Sequence, residues 1–184
     1  MQLHRLLAGF CAATLLAGCH ADTPDPLRQQ YQSFQAAQHG EKVAYSLLAD
    51  LDEDGVPEHA VVMAGKDGLG VWFITSSGPV AAPENDQLAH MTLTGSFLVQ
   101  RGEEKHLTLF AGFPPQNTAG RVYRLKKGQP EILLDFMADW DARVTAEGIE
   151  AVSKRYNPDG GYTLIGETYR WEAESGAYEK QGAP

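Results

Sequence analysis

The feature that most constrains this chain is a change of rhythm at Lys42. From there onward, short β-type runs follow one another: VAYSLLA, HAVVMA, GVWFIT, SFLVQ, HLTLFAG, RVYRL, EILLDF, IEAVSKRY and YTLIGETYRW. Turn-forming clusters separate them, among them Lys66-Asp67-Gly68, Ser77-Gly78-Pro79, Arg101-Gly102, Lys127-Gly128, Asn157-Pro158-Asp159-Gly160 and Ser175-Gly176. Regular punctuation of this kind predicts a mainly β, antiparallel domain. A single helix is expected ahead of it. Asp25-Pro26 supplies an N-cap oxygen followed by a proline with its backbone angle already set. Leu27, Tyr31, Phe34 and Ala37 then recur at helical spacing as far as about Gln38, and Gly40 is placed to end the helix. Glutamines without lysines cover its other face, so it is expected to dock on the domain's own sheet and not on a membrane. Residues 79–92 and 112–120 are longer and polar, and are expected to form loops available for binding.

The N-terminus has a different character. A short basic start, MQLHR, leads into the apolar LLAGFCAATLLAG and then Cys19. The apolar run falls well short of the roughly twenty residues that cross a bilayer, and it ends in small residues, as a signal peptide does. Leu16-Ala17-Gly18-Cys19 resembles the lipobox of bacterial lipoproteins. That resemblance implies cleavage after residue 18, lipid on the Cys19 thiol, a tether over residues 19–25 and one domain over 26–184. By the same resemblance, His20 after the lipidated cysteine implies the Gram-negative outer membrane, with the domain facing the periplasm. Cys11 would leave with the signal and Cys19 would carry lipid, so the mature domain is expected to hold no disulfide.

Charge narrows the partners. The chain has 24 Asp and Glu against 15 Lys and Arg, for a formal net charge of −9, and one of those bases, Arg5, lies in the signal. An acidic domain repels nucleic acid and anionic headgroups, and Lys126-Lys127 and Lys154-Arg155 are isolated basic pairs. No nucleic-acid site is expected, and contact with the membrane is expected through the lipid anchor alone.

The acidic loop at residues 50–58 is the strongest chemical signal. Spelled from Asp50 it reads DxDxDGxxE, with Asp50, Asp52, Asp54 and Glu58 around Gly55. Alternate residues of a tightly curled loop point inward, glycine accepts the positive φ of the sharp turn, and Val56 can offer a carbonyl. Hard anionic oxygens in this number suit calcium. The loop is not an EF-hand, because the twelfth position is Val61 where a bidentate glutamate belongs. It resembles the calcium loop of FG-GAP and VCBS repeats, the strand-loop-strand units of integrin-type β-propellers. The resemblance implies side-chain ligation of one structural Ca²⁺ by Asp50, Asp52, Asp54 and Glu58, main-chain ligation by Val56, and a propeller-like fragment of antiparallel sheets. LADLD at 48–52 is echoed by MADWD at 137–141, either as a decayed repeat or by chance.

Reactive centres are not evident. His39, His59, His90 and His106 stand alone without HxH or HExxH spacing, Gly95-Ser96 lacks the GxSxG elbow, and no Walker or Rossmann glycine loop is present. The chain is therefore read as a binding protein and not an enzyme, with a hydrolase built on a pair of carboxylates as the third alternative. In YRWEAESGAYEKQ, the alternation of Tyr169 and Trp171 fits a half-buried strand returning through Tyr178. The same segment resembles, with one residue missing, the SGxxY loop of periplasmic lysozyme inhibitors. By that resemblance Ser175, Gly176 and Tyr178 are partner-binding residues. Lipobox, acidic β-rich domain and DxDxDG loop together resemble periplasmic lipoprotein immunity proteins. The expectation is an inhibitor of a basic peptidoglycan hydrolase, with a structural or assembly lipoprotein of the envelope as the alternative.

Overall fold

In the computed structural model, residues 25–83, 88–114 and 117–181 are described. The signal peptide, Cys19 and most of the tether lie outside them. Helix α1 spans Pro26–Ala37. Twelve strands follow among the described residues: β1 Lys42–Ala49, β2 Glu58–Gly65, β3 Gly68–Thr75, β4 Gly78–Ala81, β5 Thr92–Arg101, β6 Glu104–Phe113, β7 Asn117–Lys126, β8 Gln129–Ala138, β9 Asp141–Val144, β10 Ile149–Tyr156, β11 Tyr162–Glu172 and β12 Ala177–Gln181. They form three four-stranded sheets, each an antiparallel meander of consecutive strands: sheet I is β1–β4, sheet II β5–β8 and sheet III β9–β12. The mainly β, antiparallel expectation is met, with one helix.

Tight turns set the registers. Gly65 pairs with Gly68, Arg101 with Glu104 and Lys126 with Gln129, leaving two residues at each bend. At the last of these both Lys127 (φ 52°) and Gly128 (φ 71°) are left-handed, as a hairpin turn matched to strand twist requires. The sequence reading missed β4 and β9. Each has four residues, β4 includes Pro79 in what reads as a turn, and β9 follows a corner with no glycine. The expected polar loop at 112–120 is much shorter, because β6 runs to Phe113 and β7 starts at Asn117.

Sheet II is the middle layer. On β6, Leu107 and Leu109 pack into a cluster with Ala60, Val62, Val71 and Phe73 of sheet I. Phe110, on the opposite face of the same strand, packs with Ile149, Ala151 and Tyr178 of sheet III. With both faces covered, β6 has no solvent side, which explains why HLTLFAG reads as an almost unbroken apolar run. The far face of sheet I is covered by α1, whose Leu27 and Phe34 are buried on Val61, Met63 and Ile74 as the helical spacing predicts. The N-cap is in place: Leu27 N–H donates to Asp25 Oδ1 at 3.1 Å.

Phe136 joins sheets II and III. Its ring lies across Gly120, its partner on β7, stacks on Tyr169 at 5.2 Å and meets the edge of Phe110 at 6.5 Å. A Cβ at residue 120 would lie 2.1 Å from the ring. Gly120→Ala should therefore destabilise the domain by about 1–3 kcal/mol, by overpacking. Phe136→Leu in that background should recover part of the loss, and denaturant melts of the single and double variants measure both effects.

Candidate functional site

The acidic loop joins β1 to β2. Asp50 follows the last residue of β1 and Glu58 is the first of β2, so the sheet holds both ends while residues 51–57 bend between them. Gly55 takes φ 87° and its N–H donates to Asp50 Oδ2 at 3.2 Å. This is the left-handed turn that glycine was expected to supply.

Three of the four carboxylates converge. Asp50, Asp52 and Glu58 each place an oxygen within 4.8 Å of the others, and this is the one such group among the described residues. Asp54 stands apart, its Oδ1 accepting from Val56 N–H at 2.7 Å. Asp54 thus lies outside the three-carboxylate group and holds the turn at Val56.

Contacts from sheet II hold the loop in place. Gly128 N–H, in the β7–β8 turn, donates to Asp52 Oδ2 at 2.9 Å, and Lys105 Nζ donates to the Asp50 carbonyl at 2.7 Å. Sequence reading singled out neither residue for this role. Gly128 is legible as a turn glycine, but its partner lies 76 residues away, and nothing local encodes the match.

The electrostatics are unbalanced. Glu58 is only 3 % exposed and accepts from Leu51 N–H at 2.8 Å. Burial pushes its carboxyl up to about 7, the Leu51 hydrogen bond opposes this, and Asp52, Asp54 and Asp50 add repulsion. Asp50 Oδ1 and Asp52 Oδ1 are buried without a hydrogen-bond partner. Orphaned carboxylate oxygens beside a buried glutamate form a cluster that a proton or a hard cation would relieve.

No protein-family model matches the chain, and a search of curated proteins finds no match. Its chemistry is therefore argued from its own residues.

The C-terminal hairpin places its residues differently from the inhibitor-loop expectation. Ser175 is exposed at the turn and its hydroxyl reaches Glu179 Oε1 at 3.1 Å, while Gly176 has φ 64°. Tyr178 points inward. It is 9 % exposed, packs 5.4 Å from Trp171, and its hydroxyl lies 3.0 Å from His106 Nδ1. Of the three residues, Ser175 and Gly176 therefore lie at the turn, while the Tyr178 ring packs into the core. His106 is fully buried, and its Nε2 lies 3.2 Å from Glu104 Oε2. Burial lowers the His106 pKa, with Glu104 opposing, so a neutral imidazole donates to Glu104 and accepts from the Tyr178 hydroxyl. Among the lone histidines of the sequence, this one is a structural link between sheets II and III.

The MADWD echo is not positioned as a second loop. It spans the passage from β8 to β9, between sheets II and III, whereas LADLD sits inside sheet I. Asp139 accepts from Lys154 N–H on β10 and Asp141 Oδ1 from its neighbour Ala142 N–H, so each carboxylate is engaged by backbone.

Because the folded-state pKa of Glu58 is raised, its contribution favours folding below about pH 4.5 and is lost as pH rises through 7. In chelator, Glu58→Gln should lose less stability than the wild type between pH 5 and pH 8, since glutamine keeps an acceptor for Leu51 without the charge. Thermal melts at both pH values measure this, and parallel losses would refute the assignment.

Proposed function

We propose that this chain is a calcium-stapled periplasmic lipoprotein, anchored in the outer membrane through Cys19, that acts as a protein-binding module and most specifically blocks a basic peptidoglycan hydrolase. The observation that carries the metal reading is the convergence of Asp50, Asp52 and Glu58, with two buried carboxylate oxygens lacking partners. A divalent ion favouring oxygen ligands matches that donor set, and further ligands would come from backbone carbonyls, Val56 among them, and from water.

The propeller-like reading draws support from the stacking. Consecutive four-stranded meanders packed face to face are the arrangement of neighbouring propeller blades, and α1 takes the place of a further blade on sheet I. A cation at residues 50–58 then has a structural task. It would fix the β1–β2 loop and with it Asp52, whose carboxylate accepts from Gly128 N–H in the β7–β8 turn of sheet II.

The binding-protein part rests on charge and on the anchor motif. A net charge of −9 favours encounter with a basic hydrolase, and the lipid on Cys19 would keep the domain where such enzymes act. The inward Tyr178 removes one recognition residue from this reading and lends weight to the alternative, a structural or assembly lipoprotein of the envelope.

Calcium should raise the melting temperature of the domain, adding about 2.7 kcal/mol when the free ion exceeds its Kd a hundredfold, and Asp52→Ala should abolish the response. Identical melts in calcium and chelator would refute the metal. Separately, the domain should capture a peptidoglycan hydrolase near one to one and stop its lytic activity. Capture of resident envelope proteins alone would favour the assembly role.

A further inference from the structure

We infer that the cavity between sheet I and sheet II is a binding site for a small organic carboxylate with an apolar body. The cavity measures about 580 Å³, within the range of small-molecule sites. It lies at the far end of β2 from the acidic loop, beside the two-residue turn at Lys66-Asp67. One wall is β3 together with the segment that follows β4, and another is β7 of sheet II. The wall at the turn is pinned by backbone: His90 N–H donates to the Asp67 carbonyl at 3.1 Å, and Gly68 bridges to Ala89. A Cβ at residue 68 would stand 2.4 Å from the Leu88 carbonyl oxygen, so only glycine allows this approach.

Two donors without acceptors mark the buried end. Arg121 and Tyr123 both line the cavity, and each is only 1 % exposed. Arg121 Nη2 donates to Asp135 Oδ2 at 2.9 Å and Nη1 to the Tyr123 hydroxyl at 3.3 Å, but Nε is buried with no hydrogen-bond partner. Because the Tyr123 hydroxyl accepts from Nη1, its own proton remains to be donated, and no acceptor receives it among the described residues. A buried N–H left unpaired costs free energy, so its place on a cavity wall calls for an explanation. The register of β7 on β8 uses Nη2 and accounts for neither Nε nor the cavity.

The donors select the ligand. What this end of the cavity lacks is an acceptor, and a guanidinium N–H beside a phenol O–H matches the two oxygens of a carboxylate. Asp135 takes the Nη2 donor and is itself partly exposed, so it leaves Nε for a second anion. Leu69, Val71, Ala82 and Leu88 supply apolar wall for the rest of the molecule. A short fatty acid and an apolar dipeptide both present this combination of carboxylate and apolar body. The site stands apart from the acidic loop and does not depend on the calcium or hydrolase reading.

Titration of the purified protein with hexanoate and with leucyl-leucine, followed by NMR of its methyl groups, tests this. At least one should bind at a single site with Kd of about 1 mM or tighter and shift Leu69, Val71 and Leu88, and the one that binds identifies an acyl or a peptide source. Hexanamide and leucyl-leucinamide should bind about tenfold more weakly than the matching acids, because they do not meet the guanidinium as anions. Ala82→Leu fills the cavity without removing a polar group and should abolish binding in a protein that still melts cooperatively. The amide comparison and the shift map use the wild type, so they decide the matter even if that variant does not fold. No binding of either acid at about 10 mM, equal affinity for acid and amide, shifts located elsewhere, or wild-type affinity in a folded Ala82→Leu would each overturn the proposal.

Discussion

The structure depends on one sheet that packs against a neighbour on each of its faces. Sheet II gives Leu107, Leu109, Tyr123 and Leu125 to sheet I and Phe110, Val122 and Phe136 to sheet III, so neither neighbour can leave without exposing apolar surface. At about 25 cal/mol per Å² of apolar area, interfaces of this kind dominate the stability of the fold. The same sheet reaches the acidic loop through Lys105 and Gly128 and holds the C-terminal hairpin through His106. Loop and hairpin are thus fixed to one central body and not to each other.

Polar groups inside the stack give it register as well as cohesion. Arg121 is buried on β7, where Nη2 donates to Asp135 Oδ2 at 2.9 Å and Nη1 to the Tyr123 hydroxyl at 3.3 Å. Arg124 donates to both oxygens of Glu104 at 2.9 Å and to Glu131 at 2.6 Å. Burial works against ionisation of Glu104, but hydrogen bonds from Arg124 and His106 hold its carboxyl below the ordinary range. Arg121 is the buried member of these pairs, and leaving a buried guanidinium without its carboxylate is costly, so its pair with Asp135 penalises a slip of β7 against β8.

Local signals in the chain were read with most success where local physics decides. The N-cap at Asp25, the apolar stripe of α1 and the turns at Lys66-Asp67 and Lys127-Gly128 each depend on a few adjacent residues. The acidic loop was legible to the same depth: its glycine, its bend and its inward Asp50 and Asp52 follow from spacing. Asp54 and Tyr178 have contacts that spacing did not indicate, for related reasons. Each has a second competent use, one capping Val56 and the other filling the space between Trp171 and His106, and the packed molecule takes that use. Short β4 and β9 escaped notice because four residues carry too little pattern to mark a strand.

The amino-acid sequence by itself determined the helix and the longer strands in their order, because helix capping, positive-φ turns and strand alternation are settled within a few residues of chain. It also placed four acids around one glycine bend, of which the folded loop brings Asp50, Asp52 and Glu58 together. Tertiary structure alone decided that β6 would have no solvent side and that Asp52 would meet Gly128. Those outcomes join residues from different strands and sheets, and their free energy comes from excluding water between surfaces that exist only once the sheets have stacked.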